Sequence, residues 1–113
     1  MTEWKNACNV ADLQADSGVC VLIEGHQVAL FYMPKDNAIY ALNNYDPFGC
    51  ANVLSRGIIG DIGNQPVVSS PLHKQHFNLI TGICLEDEAV TIPIYPIRIH
   101  QGNIQVSIKF SGG

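Results

Sequence analysis

Hydrophobic and polar residues alternate with a period of two along much of this chain. The alternation is clearest in "NIQVSIKF", residues 103–110, whose apolar side chains are those of Ile104, Val106, Ile108 and Phe110. A period of two places one set of side chains in a core and the other in water, which is the pattern of a half-buried β-strand. A helical pattern is confined to "VADLQAD", residues 10–16, and it predicts a single turn.

Tight turns separate the predicted strands. The turn at 24–27, "EGHQ", divides "VCVLI" from "VALFYM" and predicts a β-hairpin. Residues 34–38 and 100–103 predict two further turns, and the second of these joins "PIRIH" to the last strand. Pro93 and Pro96 have no backbone N–H, so they confine the strand that holds them to a sheet edge or to a late start.

Residues 43–82 interrupt the alternation with a segment rich in Gly, Pro, Asn and Ser. Brief strand signals remain in "QPVVSS" and "HFNLI", whereas "GIIGDIGNQP", residues 57–66, is predicted to be a loop with tight turns. Its glycines lack the spacing of a phosphate-binding loop, and no lysine follows them. We therefore expect one all-β domain over residues 1–113, a small antiparallel sandwich or barrel with a loop-rich subdomain at about 43–82. An insert of this kind is usually functional.

Composition narrows the possible partners and the compartment. The chain has 113 residues, a net charge of −4 and six Lys plus Arg, so it offers no basic stripe for nucleic acid or for an anionic membrane. The N-terminus lacks the pattern of a signal peptide, and apolar runs such as "VCVLI" are far shorter than a membrane span. These features predict a cytoplasmic protein.

The cysteines point away from zinc-ribbon and thioredoxin chemistry, because none of the four lies in a C-x-x-C spacing. Cys20 lies within an apolar run and is predicted to be in the core, whereas Cys50 lies in a loop-like stretch and is predicted to be exposed. The histidines at the predicted turns, His26 and His100, are expected on the surface.

Two loops carry the candidate chemistry: "NNYDPFGCANVLSRG", residues 43–57, and "SSPLHKQHFNLITG", residues 69–82. Together they resemble the cluster-binding loops of the Rieske family, in which the first loop carries Cys-x-His and the second Cys-x-x-His. Phe77, Thr81 and Gly82 match the family pattern, while Lys74 replaces a glycine. The four ligand positions are occupied here by Asp46, Phe48, Ser70 and His73.

One of the four Rieske ligands therefore remains, and this predicts that no cluster binds. A [2Fe–2S] centre of this type needs two thiolates on one iron and two imidazoles on the other. We expect no catalytic, cofactor-binding or metal-binding residues in this chain. Instead, the Asp46 carboxylate is expected to accept a hydrogen bond from the His73 imidazole across the two loops. Phe48 either fills the space of the absent cluster or forms an exposed contact.

The combination of "DPF" with "SPLHKQHF" resembles the small subunits of cytoplasmic NAD(P)H-dependent nitrite reductases. The resemblance covers nearly the whole chain, and it implies a Rieske-like fold without a cluster. It also implies a large partner subunit that carries FAD, a [4Fe–4S] cluster and sirohaem and uses NAD(P)H to reduce nitrite to ammonia in nitrate assimilation. The small subunit would dock through the tips of its two loops. The residues expected there are Asp46, Pro47, Phe48, Cys50, Leu72, His73, Lys74 and His76.

Two other functions stay open from the sequence. One is a Rieske-type electron carrier or metal-binding protein with unusual ligands, and the other is an interaction module of a different oxidoreductase. A hydrolytic triad of Ser70, His73 and Asp46 is disfavoured, because the chain has no nucleophile elbow and no recognisable oxyanion loop.

Overall fold

The structure is a computed structural model that describes residues 3–72 and 74–108. These residues form strands and short 3₁₀ turns, and none of the helical segments among them is long enough to cross a membrane. The strands are β1 (Lys5–Asn9), β2 (Ser17–Ile23), β3 (His26–Met33), β4 (Ala38–Asn43), β5 (Tyr45–Asp46), β6 (Ala51–Asn52), β7 (Ile58–Ile62), β8 (Gln65–Ser69), β9 (His76–Asn78), β10 (Ile97–His100) and β11 (Asn103–Val106). The 3₁₀ turns are Val10–Asp12, Pro34–Asp36 and Leu54–Arg56.

The strands pair into four small antiparallel sheets, as expected for an all-β domain. Two three-stranded sheets, β1-β11-β10 and β2-β3-β4, come from the two ends of the chain. The hairpin β5-β6 and the sheet β7-β8-β9 come from the middle segment. The segment predicted to be loop-rich thus has a β framework of its own.

The central strand β3 is apolar along most of its length because it is buried on both faces. Phe31 and Met33 belong to one buried cluster, which also receives Leu54 and Phe77 from the middle segment. Leu30, with the opposite orientation, belongs to a second cluster beside β1, β10 and β11. The middle segment is therefore packed on the same strand that organises the terminal sheets.

The predicted alternation at the C-terminal end is confirmed as far as Val106. Ile104 and Val106 on β11 are both fully buried, and β11 pairs with β10 through the predicted turn. Phe110 lies outside the described residues. The proline-containing strand starts late, as predicted: β10 begins at Ile97, after Pro96. The predicted helical turn is the 3₁₀ turn at Val10–Asp12.

The first hairpin turn is shorter than the sequence predicted. It consists of Glu24 and Gly25, with φ angles of 49° and 84°, and β3 already begins at His26. Two successive residues with positive φ are typical of the type I′ loop, which matches the twist of antiparallel strands. His26 and Gln27 are thus strand residues, although His26 and His100 are exposed as expected.

Two local predictions are wrong. Residues 57–66 are not a loop, because they contain β7 and the start of β8, joined by a two-residue turn at Gly63–Asn64 with φ angles of 57° and 66°. Cys20 is not in the core but exposed. On β2 the half-buried Val19 and Val21 pack against the second cluster, so Cys20 between them points to the opposite face.

Candidate functional site

The first of the two loops is shaped by Asp46. The backbone carbonyl of Asp46 accepts from the N–H of Cys50 at 2.8 Å, and its Oδ1 accepts from the N–H of Phe48 at 2.9 Å. Cys50 closes the loop with a φ of 53°, in the left-handed region that a non-glycine residue adopts only when its surroundings hold it there. The Asp46 side chain thus fixes the course of the chain between β5 and β6.

The second loop repeats this arrangement around Ser70. Its carbonyl accepts from the N–H of Lys74 at 3.1 Å, and its Oγ accepts from the N–H of Leu72 at 3.3 Å. Lys74 has a φ of 61°, as Cys50 has at the equivalent place in the first loop. Both loops are therefore organised by a short polar side chain that bonds to the backbone two residues later.

The two organising side chains bond to each other. The Ser70 hydroxyl donates to Oδ2 of Asp46, and the two residues are 1% and 0% exposed. The loops also meet at Gly49, where an added Cβ would lie 2.5 Å from Cδ1 of Leu72. The residues at two of the four Rieske ligand positions thus form a buried hydrogen bond between the loops. Because the site excludes water, a hydrogen bond there is stronger than the same bond in solvent.

Asn44 holds the base of the first loop, and the sequence did not single it out. Its side-chain amide donates to Oε1 of Gln27 at 3.1 Å and to the carbonyl of Asn52 at 3.0 Å. Its Oδ1 accepts from the N–H of Ser55 at 2.7 Å. Because Asn44 is 2% exposed, these bonds are shielded from water and connect β3 to the chain on either side of the loop. The signal in the sequence was the Asn pair at the start of this loop, Asn43 and Asn44.

Glu86 holds the far end of the second loop. Its carboxylate accepts from the backbone N–H of His76 at 2.7 Å, and its other oxygen lies 2.7 Å from Nδ1 of the His76 ring. Partial burial alone would raise the pKa of Glu86, but the hydrogen bonds from the backbone and ring of His76 lower it below 4.5. His76 is therefore tied into the structure, and Glu86 is a partner that the sequence analysis missed within an acidic run.

Phe48 is packed rather than free. Its ring lies 6.0 Å from that of Phe77, tilted by 44°, and it packs against the first buried cluster while staying partly exposed. The predicted space-filling role thus has support in the contacts.

The hydrogen bond with the Cys50 thiol raises the pKa of the neighbouring Tyr45 phenol. Cys50 itself is exposed, as predicted.

The predicted docking residues occupy different depths. Cys50, Leu72 and Lys74 are exposed, and Leu72 presents half of its surface to solvent. Pro47, Phe48 and His76 are half-buried, whereas Asp46 lies fully buried beneath the surface. His73 lies outside the described residues, and with it the predicted bond to Asp46. We use the name tip surface for Pro47, Phe48, Cys50, Leu72 and Lys74.

The residues at the ligand positions do not fit a Rieske cluster. The Ser70 proton is directed at Asp46, the Asp46 carboxylate accepts from Ser70 and from the Phe48 N–H, and the Phe48 ring has no ligating atom. Hydroxyl and carboxylate oxygens are also poor substitutes for the two thiolates. Among the residues that the structure describes, no group of three His, Cys, Asp or Glu side chains is arranged to hold a metal ion.

Comparison with known proteins gives relatives over almost the full chain. Residues 3–107 match the family of Rieske-like [2Fe–2S] domains. A nitrite reductase (NADH) small subunit from Salmonella typhimurium is 41% identical over 106 residues, which cover 94% of this chain and 98% of the relative. The crystal structure of a NADH-dependent nitrite reductase small subunit from Mycobacterium tuberculosis has a TM-score of 0.91 at 43% identity, covering 98% of this chain and 99% of that one.

A third relative is a much longer protein. A nitrite reductase NAD(P)H large subunit from Klebsiella oxytoca is 33% identical over 103 residues, which cover 91% of this chain but 11% of the large subunit. A domain similar to this chain thus also occurs as a small part of a large-subunit polypeptide.

Proposed function

Since this chain belongs to the nitrite reductase (NADH) small-subunit family of Rieske-like domains, we propose that it is the cluster-free small subunit of a nitrite reductase. The enzyme reduces nitrite to ammonia with electrons from NAD(P)H, in nitrate and nitrite assimilation. The chain is a member of this oxidoreductase complex and supplies no catalytic residue of its own.

The proposed partner is the large subunit of the same enzyme. The Klebsiella large subunit supports this, because it contains within one polypeptide a segment 33% identical to this chain. Two domains that are joined in one protein and separate in another commonly work in contact. FAD, the [4Fe–4S] cluster, sirohaem and the nicotinamide cofactor are expected on the large subunit.

The bond between Ser70 and Asp46 is the observation that carries the cluster-free role. These residues stand where the family has thiolate ligands, and they join the two loops directly through a buried hydrogen bond. The geometry of the loops can thus persist without iron. What remains of the site is its outer surface, and a surface of preserved shape is suited to binding a protein.

The tip surface is the proposed docking site for the large subunit. Leu72 on the second loop is 50% exposed and lies next to Gly49 of the first loop. The partly exposed ring of Phe48 is rigid because it packs on Phe77. A packed aromatic ring on one loop and an exposed aliphatic side chain on the facing loop are residue types that occur at the centres of protein interfaces.

Reconstitution tests the proposal. The large subunit would be purified alone and combined with increasing amounts of this chain, while nitrite-dependent oxidation of NADH is measured. We expect activity to rise and saturate as the complex forms. Full activity of the large subunit alone, unchanged by this chain, would reject the role.

Iron analysis and a visible spectrum distinguish the proposed function from an electron carrier. We expect a colourless, iron-free, folded chain after purification from iron-replete cells. Stoichiometric iron with a charge-transfer spectrum would instead identify a cluster protein with unusual ligands. Co-purification from cells grown on nitrate separates nitrite reductase from another oxidoreductase as the partner.

A further inference from the structure

Strand β7 forms an open edge of the sheet β7-β8-β9. It pairs with β8 on one side, and within residues 3–72 and 74–108 no strand pairs with its other side. Its first and last residues, Ile58 and Ile62, are 77% and 42% exposed. The strand contains neither Lys nor Pro, and its single charged residue, Asp61, is bound to Lys35 of the same chain. An edge with unpaired backbone groups is a template for pairing with another strand.

The hairpin geometry determines which backbone groups face outward. Ile62 and Gln65 flank the type I′ turn at Gly63–Asn64, so these two residues exchange hydrogen bonds with each other. The register is regular from there to the other end of β7. Since backbone groups alternate in direction along an antiparallel strand, Ile59 and Asp61 direct their N–H and C=O groups to the open edge.

The side chains of β7 divide cleanly between two faces. Ile59 packs against the first buried cluster, and Asp61 forms an ion pair with Lys35. Ile58, Gly60 and Ile62 therefore share the outer face. Gly60 faces open space, since a Cβ added there would have no atom within 4 Å.

We propose that β7 pairs with β7 of a second copy of this chain, antiparallel and centred on Gly60. This pairing is self-complementary, as a two-fold interface requires. Ile58 of each copy would lie opposite Ile62 of the other, and Ile59 of each would exchange backbone hydrogen bonds with Asp61 of the other. The centre would be a pair of glycines that are not hydrogen-bonded to each other.

The charges allow this arrangement. Asp61 is paired with Lys35 of its own chain, and it would face Ile59 of the second copy rather than another carboxylate. The two three-stranded sheets would join into one six-stranded sheet. Because a single strand pair buries less than the roughly 1,200 Å² of a stable complex, the dimer is expected to be weak and dependent on concentration.

Sedimentation equilibrium on the full chain, from about 10 μM to about 1 mM, tests the proposal. We expect reversible dimerisation, with an association constant at least about tenfold lower in the variant Ile58→Lys/Ile62→Lys, which brings like charges opposite each other. Ile99→Lys is the matched control, because Ile99 is 58% exposed on β10. A wild-type chain that stays monomeric throughout, or equal losses in both variants, overturns the proposal.

A cross-linking experiment fixes the register. In a chain with Cys20→Ser and Cys50→Ser, the variant Gly60→Cys should form a disulfide dimer under mild oxidation. The Cα atoms of such a central pair would be about 4.5 Å apart, which a disulfide spans. Leu22→Cys, at a position that is 72% exposed on β2, is the control and should cross-link much more slowly. Equal rates for the two variants reject the predicted register.

The large subunit is the competing occupant of this edge. If the second copy is the partner, Ile58→Lys/Ile62→Lys should keep its affinity for the large subunit. A monomeric wild-type chain whose capture of the large subunit is lost in this variant would assign β7 to the large subunit and overturn the proposal. If the large subunit proved not to dock at the tip surface, the proposed pairing of β7 with a second copy would be unaffected. The two proposals can therefore fail independently.

Discussion

The hydroxyl of Ser70 donates a hydrogen bond to the carboxylate of Asp46, and this bond joins two loops that lie 24 residues apart in the chain. Each of the two residues also accepts from the backbone of its own loop, at Phe48 and at Leu72. One side-chain contact therefore couples the shapes of both loops. A substitution of either residue should therefore alter the conformation of the other loop as well.

Replacing Asp46 with Ala should destabilise the chain by about 2 kcal/mol or more, because the buried Ser70 hydroxyl and the Phe48 N–H lose their acceptor. Ser70→Ala should be less costly, since Asp46 keeps its bond from the Phe48 N–H. Urea unfolding of both single variants and of the double variant gives the coupling energy, which we expect at about 1–3 kcal/mol.

An exposed aspartate is the control for this cycle. Asp36 lies on the surface in a 3₁₀ turn, so Asp36→Ala should change the free energy of unfolding by no more than about 0.5 kcal/mol. Strictly additive effects of Asp46→Ala and Ser70→Ala would contradict a direct bond between the loops.

The sequence predicted that a bond from Asp46 joins the two loops, and the structure shows such a bond to Ser70, which was not predicted. The bond predicted between Asp46 and His73 lies outside the described residues and stays a prediction. The two loops can be aligned with a family motif, but the relative placement of their side chains depends on long-range packing. The close approach of Gly49 to Leu72 between the two loops likewise has no local signal in the sequence.

Period-two patterns were reliable where one face of a strand is in water, as at Ile104 and Val106. They failed in "VCVLI", where every residue is apolar or small and the run does not reveal which face is buried. For that reason Cys20 was predicted to be in the core, although it is exposed. They failed again at β7, where Ile58 and Ile62 are exposed and the glycines suggested a loop.

Gly82→Ala should be among the most damaging substitutions in the chain, with a cost of at least about 3 kcal/mol. Its φ is +79°, and a Cβ there would lie 2.1 Å from the carbonyl oxygen of Ile92. Gly25 is the matched control, because its φ is +84° but its Cβ would meet nothing within 4 Å. Gly25→Ala should therefore cost about 1 kcal/mol, from the backbone conformation alone. Stability would be measured by thermal and urea unfolding. Equal losses of stability in Gly82→Ala and Gly25→Ala would show that the close approach to Ile92 is unimportant.

Glu86 should contribute a pH-dependent part of the stability. Its pKa in the folded chain is lowered below 4.5, so its contribution is present above the unfolded pKa and is lost as the pH falls through the folded one. The stability difference between wild type and Glu86→Gln should therefore shrink as the pH is lowered from about 5 to 3. The effect is small because the Glu86 side chain is 48% exposed.

NMR titration of Glu86 checks the cause of this shift directly. His76→Ala removes the ring but keeps the backbone N–H, so the pKa of Glu86 should rise only part of the way back towards 4.5. An unchanged pKa in His76→Ala would assign the shift to the backbone bond alone. A stability difference that is constant with pH in Glu86→Gln would contradict the predicted linkage.

Leu72→Asp should weaken binding to the large subunit by at least about tenfold while leaving the fold intact, since Leu72 belongs to the tip surface and is 50% exposed. The introduced carboxylate would be desolvated in the interface, which adds to the lost apolar contact. Ile99→Asp is the matched control, because Ile99 is 58% exposed and lies on β10 in a different sheet. Affinity would be measured by surface plasmon resonance with immobilised large subunit, and the fold by circular dichroism. If Ile99→Asp lost affinity and Leu72→Asp kept it, the docking site would lie on the terminal sheets instead of the loops.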